Sequence, residues 1–204
     1  PRKIIIKIEQ NHANIDRMLE YNYFEDADNL INKALNQNPK DIEARALRVV
    51  SLAKQYKLDP AQKELDELLK QYPKNSELHY AQGVVYYKRT TSSNMLYRTN
   101  SKKLLDDALS EFNKTISLNK EDYRAYNAAG VVKLTVGDNE AAKKYFTDAL
   151  KIKANYSTAL DNLGSIDLAE GKIDDAEVKF KKALESNTQN TIAMCHMAQA
   201  AMLK

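Results

Sequence analysis

Cysteine is nearly absent. Cys195 is the only one in 204 residues, so the chain cannot close an internal disulfide. Glycine and proline are scarce, five and four, too few for stacked β-hairpins or glycine-rich phosphate loops, and the composition favours helix. No uninterrupted apolar run approaches the ~18 residues of a membrane span. Charge of one sign is not in excess. The formal net charge is +3, which argues against a general nucleic-acid binder. Dinucleotide-binding, Walker and nucleophile-elbow motifs are all missing. The chain opens PRKIII, without an initiator Met or a signal-peptide pattern, so a longer parent protein is expected. The compartment stays open, with the cytoplasm slightly favoured and an extracytoplasmic location still allowed.

What is present is 43% apolar residues, enough for a core, and a periodicity. Gly130 and Gly164 are 34 residues apart, as are Gly137 and Gly171, and Pro39 and Pro73. Gly83 precedes Gly130 by 47, which is 34 plus 13. Ala27, Ala61, Ala108, Ala142 and Ala176 fall on the same grid, and four residues beyond each come Ile31, Leu65, Phe112, Phe146 and Phe180. Internal repetition of this length signals stacked helix pairs. The best-formed unit, residues 123–156, and its next copy, 157–190, each read as two amphipathic helices. Tight turns at Gly137-Asp138 and Gly171-Lys172 join them. Asn22 holds the turn slot in the first copy. In the second, Asp59-Pro60 is expected to open a helix as N-cap and first residue. Glycine inside a first helix costs roughly 1 kcal/mol against alanine. Gly83, Gly130 and Gly164 are therefore expected where another backbone passes close, with the grid alanines opposite and Phe, Leu and Ile filling the groove.

The pattern resembles the tetratricopeptide repeat (TPR) family: a small residue at the eighth position, Ala at the twentieth, an aromatic at the twenty-fourth and Pro near the thirty-second. It covers nearly the whole chain, as repeats at 8–41, 42–75, 76–122, 123–156 and 157–190. A seven-residue N-terminal extension (1–7) precedes them and a final single helix (191–204) follows. Arg45 and Arg48 sit at positions the family keeps apolar, which suggests a one-residue shift of the second repeat. Lys133 and Asp167 replace a usual Tyr in adjacent repeats. They either pair across the stack or are solvated separately.

The resemblance implies an all-α, right-handed superhelical solenoid of antiparallel helix pairs. It further implies a non-catalytic scaffold that takes a peptide or protein segment in a concave groove. Positions two, five, nine and twelve of the first helices carry over as Glu77, Tyr80, Val84 and Tyr87 in the third repeat. They carry over as Arg124, Asn127, Val131 and Leu134 in the fourth, and as Thr158, Asp161, Ser165 and Leu168 in the fifth. Ile192 and Cys195 follow in the last helix. Asn127 and Asn162 could hydrogen-bond a peptide backbone, whereas Val131, Leu134 and Leu168 could equally be packing residues. The carboxylate clamp of chaperone-binding TPR proteins is not matched: Asn127, Val131, Asn162, Ile192 and His196 occupy its places, and only Asn162 fits. The asparagine ladder of sugar-transferase arrays fails in the same way.

The extra 13 residues interrupt the third repeat near 90–102. Exposed insertions cost little, because loop-closure entropy grows only logarithmically. The content is more telling. From Leu78 to Leu105 there is no acidic residue, while Lys88, Arg89, Arg98, Lys102 and Lys103 are basic and Tyr80, Tyr86, Tyr87 and Tyr97 are interleaved. One reading is a docking loop with Met95, Leu96 and Tyr97 as an apolar tip drawing an acidic partner. The other is a solvated loop folded back on its own array. RNA or polyanion binding through this repeat is the alternative function, and an oligomerisation or spacer module, self-associating through the open last helix, is a third.

No cofactor and no metal are expected, since His12, His79 and His196 fall in different repeats. His79 reads as a packed filler. Cys195 reads as a buried or half-buried thiol, and His196 beside it cannot face it on a helix.

Overall fold

The computed structural model describes residues 2–203 and, before Gln10, only the side chain of Lys7. Pro1, Lys204 and most side chains of the expected extension 1–7 lie outside the described residues. The described residues fold into twelve helices without a strand, in two compact units that meet in sequence at Leu118 and Asn119.

In the first unit α1 (Arg2–Glu20) pairs with α2 (Phe24–Gln37), and α3 (Ile42–Lys54) with α4 (Leu58–Gln71). Likewise α5 (Ser76–Thr90) pairs with α7 (Ser101–Leu118), the short α6 (Met95–Thr99) lying between them in sequence. In the second unit α8 (Tyr123–Thr135) pairs with α9 (Asn139–Ile152), and α10 (Ser157–Ala169) with α11 (Ile173–Ser186); α12 (Thr191–Met202) closes on α10 and α11. Neighbouring partners run antiparallel. Within each unit, successive first helices also touch: α1 with α3, α3 with α5, α8 with α10, α10 with α12.

Local chemistry sets the helix ends. Asp41, Asn75, Asp122 and Asn190 each precede a first helix and accept a backbone N–H of its first turn, at 3.0, 3.1, 3.3 and 3.0 Å. Such a cap stabilises a helix by about 1 kcal/mol. Tyr156 holds the same slot without a side-chain cap. There Ser157 instead donates to the Ala183 carbonyl at 2.8 Å and accepts from Asn190 at 2.9 Å. Between paired helices the chain turns through left-handed backbone at Asn22, Tyr56, Gly137 and Gly171, with φ of 63°, 59°, 82° and 76°.

Tyr56 corrects the expected Asp59-Pro60 cap. The helix begins at Leu58 after Lys57, which makes no side-chain cap bond, because the left-handed turn falls at Tyr56, in register with Asn22. An L side chain in this conformation is strained by about 1–2 kcal/mol. The Tyr56 hydroxyl pairs with Thr91 Oγ1 at 3.1 Å and Lys88 Nζ lies 5.1 Å from the ring centre, contacts that offset the strain.

The glycines inside helices face side chains, which corrects the expectation of a close-passing backbone. A β-carbon on Gly83 would meet Phe112 Cε1 at 2.5 Å. On Gly130 and Gly164 it would meet Phe146 and Phe180, both at 2.6 Å. Each pair stacks because the ring occupies the volume that glycine leaves. The matching positions in the first two repeats are Ile15 and Ile31, and Val49 and Leu65, all at most 1% exposed. The grid alanines Ala27, Ala61, Ala108, Ala142 and Ala176 are fully buried.

Val49 and Leu65 thus keep their buried slots, and no register shift is needed for Arg45 and Arg48. Both converge on Glu64 of α4, Arg48 through Nε at 2.8 Å and a terminal nitrogen at 2.5 Å, Arg45 through Nε at 3.1 Å. A bidentate, partly buried pair replaces the apolar contact.

Candidate functional site

The expected binding residues divide between the two units. In the first, Val84 is buried on α5, Tyr80 packs its ring 5.8 Å from that of Phe112, and Tyr87 is half-buried. His79, expected as a filler, is a buried hydrogen-bonded bridge: Nδ1 lies 2.6 Å from Glu111 Oε2 and Nε2 lies 2.9 Å from the Pro73 carbonyl oxygen.

The insertion does not form a loose loop. Arg89 is turned inward, 5.9 Å from the centre of the Tyr86 ring and 5.4 Å from that of Tyr97, and donates to Gln62 Oε1 at 3.0 Å. Gln62 and Gln82 exchange amide hydrogen bonds of 3.1 and 3.3 Å alongside. The base of the insertion is thereby fastened to α4. Beyond it α6 buries none of its residues, and Met95 and Leu96 are 76% and 74% exposed. Arg98, Lys102 and Lys103 are exposed as well. The tip is solvated while Tyr97 folds back onto Arg89.

In the second unit a polar strip crosses three first helices. Asn162 on α10 donates to Asn127 Oδ1 on α8 at 3.1 Å. Asp161, one residue earlier, lies 2.9 Å from Nδ1 of His196 on α12. Ser165 donates to the Asp161 carbonyl at 3.0 Å and approaches the same Nδ1 at 3.2 Å. Burial pushes the Asp161 carboxyl up, against the pull of His196. Serine, histidine and aspartate here do not form a nucleophilic relay, since that chemistry needs serine and aspartate on opposite ring nitrogens. The group is a tie between helices. Both links join the fifth position of one first helix to the sixth of the next, an offset of 35 residues. The 34-residue period does not contain it.

Around the strip, Val131 and Leu134 pack against the cluster containing Phe146, and Leu168 against the one containing Phe180. Arg124 forks onto Asp122 at 2.7 and 3.0 Å. Lys133 and Asp167 do not pair. Lys133 reaches Asp138 at 3.1 Å, and Asp167 takes Lys179 of α11. Cys195 is exposed, not buried or half-buried, because α12 buries its Ala193–Ala200 side and the thiol lies off it. Among the described residues no group of His, Cys, Asp and Glu is arranged to hold a metal ion, and no helix is long and apolar enough to cross a membrane.

No family model matches the chain. It is 36% identical over 83 residues to DnaJ homolog subfamily C member 3 of Homo sapiens, an overlap covering 41% of this chain and 16% of that protein. It is also 36% identical over 59 residues to the human protein O-mannosyl-transferase TMTC2, covering 29% and 7%. The chain therefore matches only a small part of these curated relatives. Solved structures match over most of its length. The thermophilic TPR protein TTC0263 of Thermus thermophilus has a TM-score of 0.75 at 20% identity, with 95% of this chain and 98% of that one covered. PilF of Pseudomonas aeruginosa has a TM-score of 0.62 at 18% identity, covering 96% and 83%. MamA has 0.55 at 20%, covering 87% and 96%. The chain has the fold of the tetratricopeptide-repeat structures it matches.

Proposed function

We propose that the chain is a non-catalytic scaffold that binds an extended segment of another protein along the first-helix face of its second unit. The observation that carries this reading is the Asn127–Asn162 amide pair. One bond joins the two side chains, which among the described residues leaves the Asn127 amide N–H groups and the Asn162 carbonyl oxygen to meet a ligand. One donor and one acceptor side by side match what a peptide backbone offers, and Val131, Leu134 and Leu168 supply apolar surface next to them. The pair is held in place by helices, so little conformational entropy is lost on binding.

Panning a random-peptide library against the full chain, then titrating the enriched peptide, tests this. Binding should fall about ten-fold or more for Asn162→Ala, the cost of leaving a backbone group unpaired. Enrichment of peptides that bind Asn127→Ala and Asn162→Ala as well as the parent would refute it.

A further inference from the structure

The insertion carries a second surface, independent of the peptide reading. We propose that α6 is a membrane-docking tip, which dips Met95 and Leu96 into an anionic lipid surface while Arg98, Lys102 and Lys103 hold the headgroups.

Four observations converge. Among the described residues of the first unit Met95 and Leu96 are the most exposed large apolar side chains, and α6 touches only α5 and α7 of its own hairpin. The tip therefore projects from its own hairpin with its apolar side chains outward. The peptide groups of Leu96 are satisfied within the tip. The Leu96 N–H donates to Asn94 Oδ1 at 3.0 Å, and its carbonyl accepts from Thr99 Oγ1 at 3.0 Å and Asn100 Nδ2 at 3.1 Å. A segment entering an apolar interface must satisfy its peptide groups in this way.

The cations are placed for the same task. Neither Arg98, Lys102 nor Lys103 forms an ion pair among the described residues, and no acidic residue lies between Leu78 and Leu105. Lys102 and Lys103 stand in the first turn of α7, which has no acidic residue. A cation at the positive end of a helix is unfavourable by itself. An adjacent anionic surface reverses that sign, and each basic residue near such a surface adds to binding. Apolar penetration plus several cations is the combination that gives reversible peripheral attachment.

The test is co-sedimentation of the full chain with vesicles of phosphatidylcholine, alone and mixed with phosphatidylglycerol. The parent should bind the mixed vesicles, weakly or not at all the neutral ones, and release at high salt. Met95→Ser with Leu96→Ser should lower binding about ten-fold or more. Arg98→Gln, Lys102→Gln and Lys103→Gln together should lower it about a hundred-fold. All five side chains are solvent-facing, so thermal unfolding of both variants should match the parent. Absence of binding to the mixed vesicles, or equal binding by either variant, would overturn the proposal. Retention on RNA or polyglutamate without vesicle binding would assign the patch to an acidic macromolecule and overturn it equally.

Discussion

Gly130 and Phe146 share one volume: a β-carbon on the glycine would sit 2.6 Å from Cε1 of the ring. Phe146 is fully buried, so the ring must shift within a packed core to clear that distance. Gly130→Ala should therefore destabilise the second unit. Overpacking of about 1–3 kcal/mol outweighs the helix-propensity gain of roughly 1 kcal/mol. Phe146→Leu should recover part of the loss, so the double variant is more stable than the two single losses summed. Urea unfolding of the four proteins of the cycle measures the coupling.

Gly137 should behave differently. Its φ is 82° and nothing lies within 4 Å of a β-carbon placed there. Gly137→Ala is expected to cost about 1–2 kcal/mol through the backbone alone. Phe146→Leu should leave that cost unchanged, and a non-zero coupling would contradict the assignment.

His12 makes the first unit sensitive to alkali. Its Nδ1 lies 2.5 Å from Glu43 and its Nε2 2.9 Å from Asp41. The Glu43 contact is the main reason its pKa is raised above the usual 6.5, burial pulling the other way. A raised histidine stabilises the fold fully below its unfolded pKa and loses that contribution as pH rises through the folded one. Denaturant midpoints should fall across this window in the parent and stay flatter in His12→Gln.

Lys54 works in the opposite sense. Burial, helped by Lys88, pulls its pKa down to about 8. Its ammonium donates to the Leu19 carbonyl at 2.6 Å. The cost of burying the charge is present in full below that value. It is relieved as pH climbs from about 8 toward the usual 10.5. Lys54→Met should remove this alkaline gain without lowering stability at neutral pH, since a well-packed apolar replacement of a buried ion is often neutral or better. Thermal melts of parent and variant across this range would show it.

The helix pairs were legible in the sequence because glycine, alanine and phenylalanine recur on one grid, and their burial is set by volume alone. Asn127 and Asn162 were legible singly. Their bond was not, because it runs at an offset of 35 residues. The left-handed turn at Tyr56 is not legible because nothing in an aromatic residue advertises that backbone; only its register with Asn22 does. Arg45 and Arg48 looked like a slipped frame because the carboxylate that receives them, Glu64, lies on another helix. The exposure of Cys195 is not legible in the sequence. Burial on α12 depends on which side a neighbour covers, and α10 and α11 cover the side of Ala193 and Ala200.

The exchange of size between eighth and twenty-fourth positions has a consequence for inheritance and engineering. Ile with Ile, Val with Leu and Gly with Phe are three locks, each cut for its own key. Grafting a first helix from an early repeat into a late one would set a branched side chain against a benzene ring. Exchange between the early and late repeats keeps both halves of a lock together when crossovers fall between hairpins, whereas the three Gly–Phe repeats can trade single helices without breaking theirs.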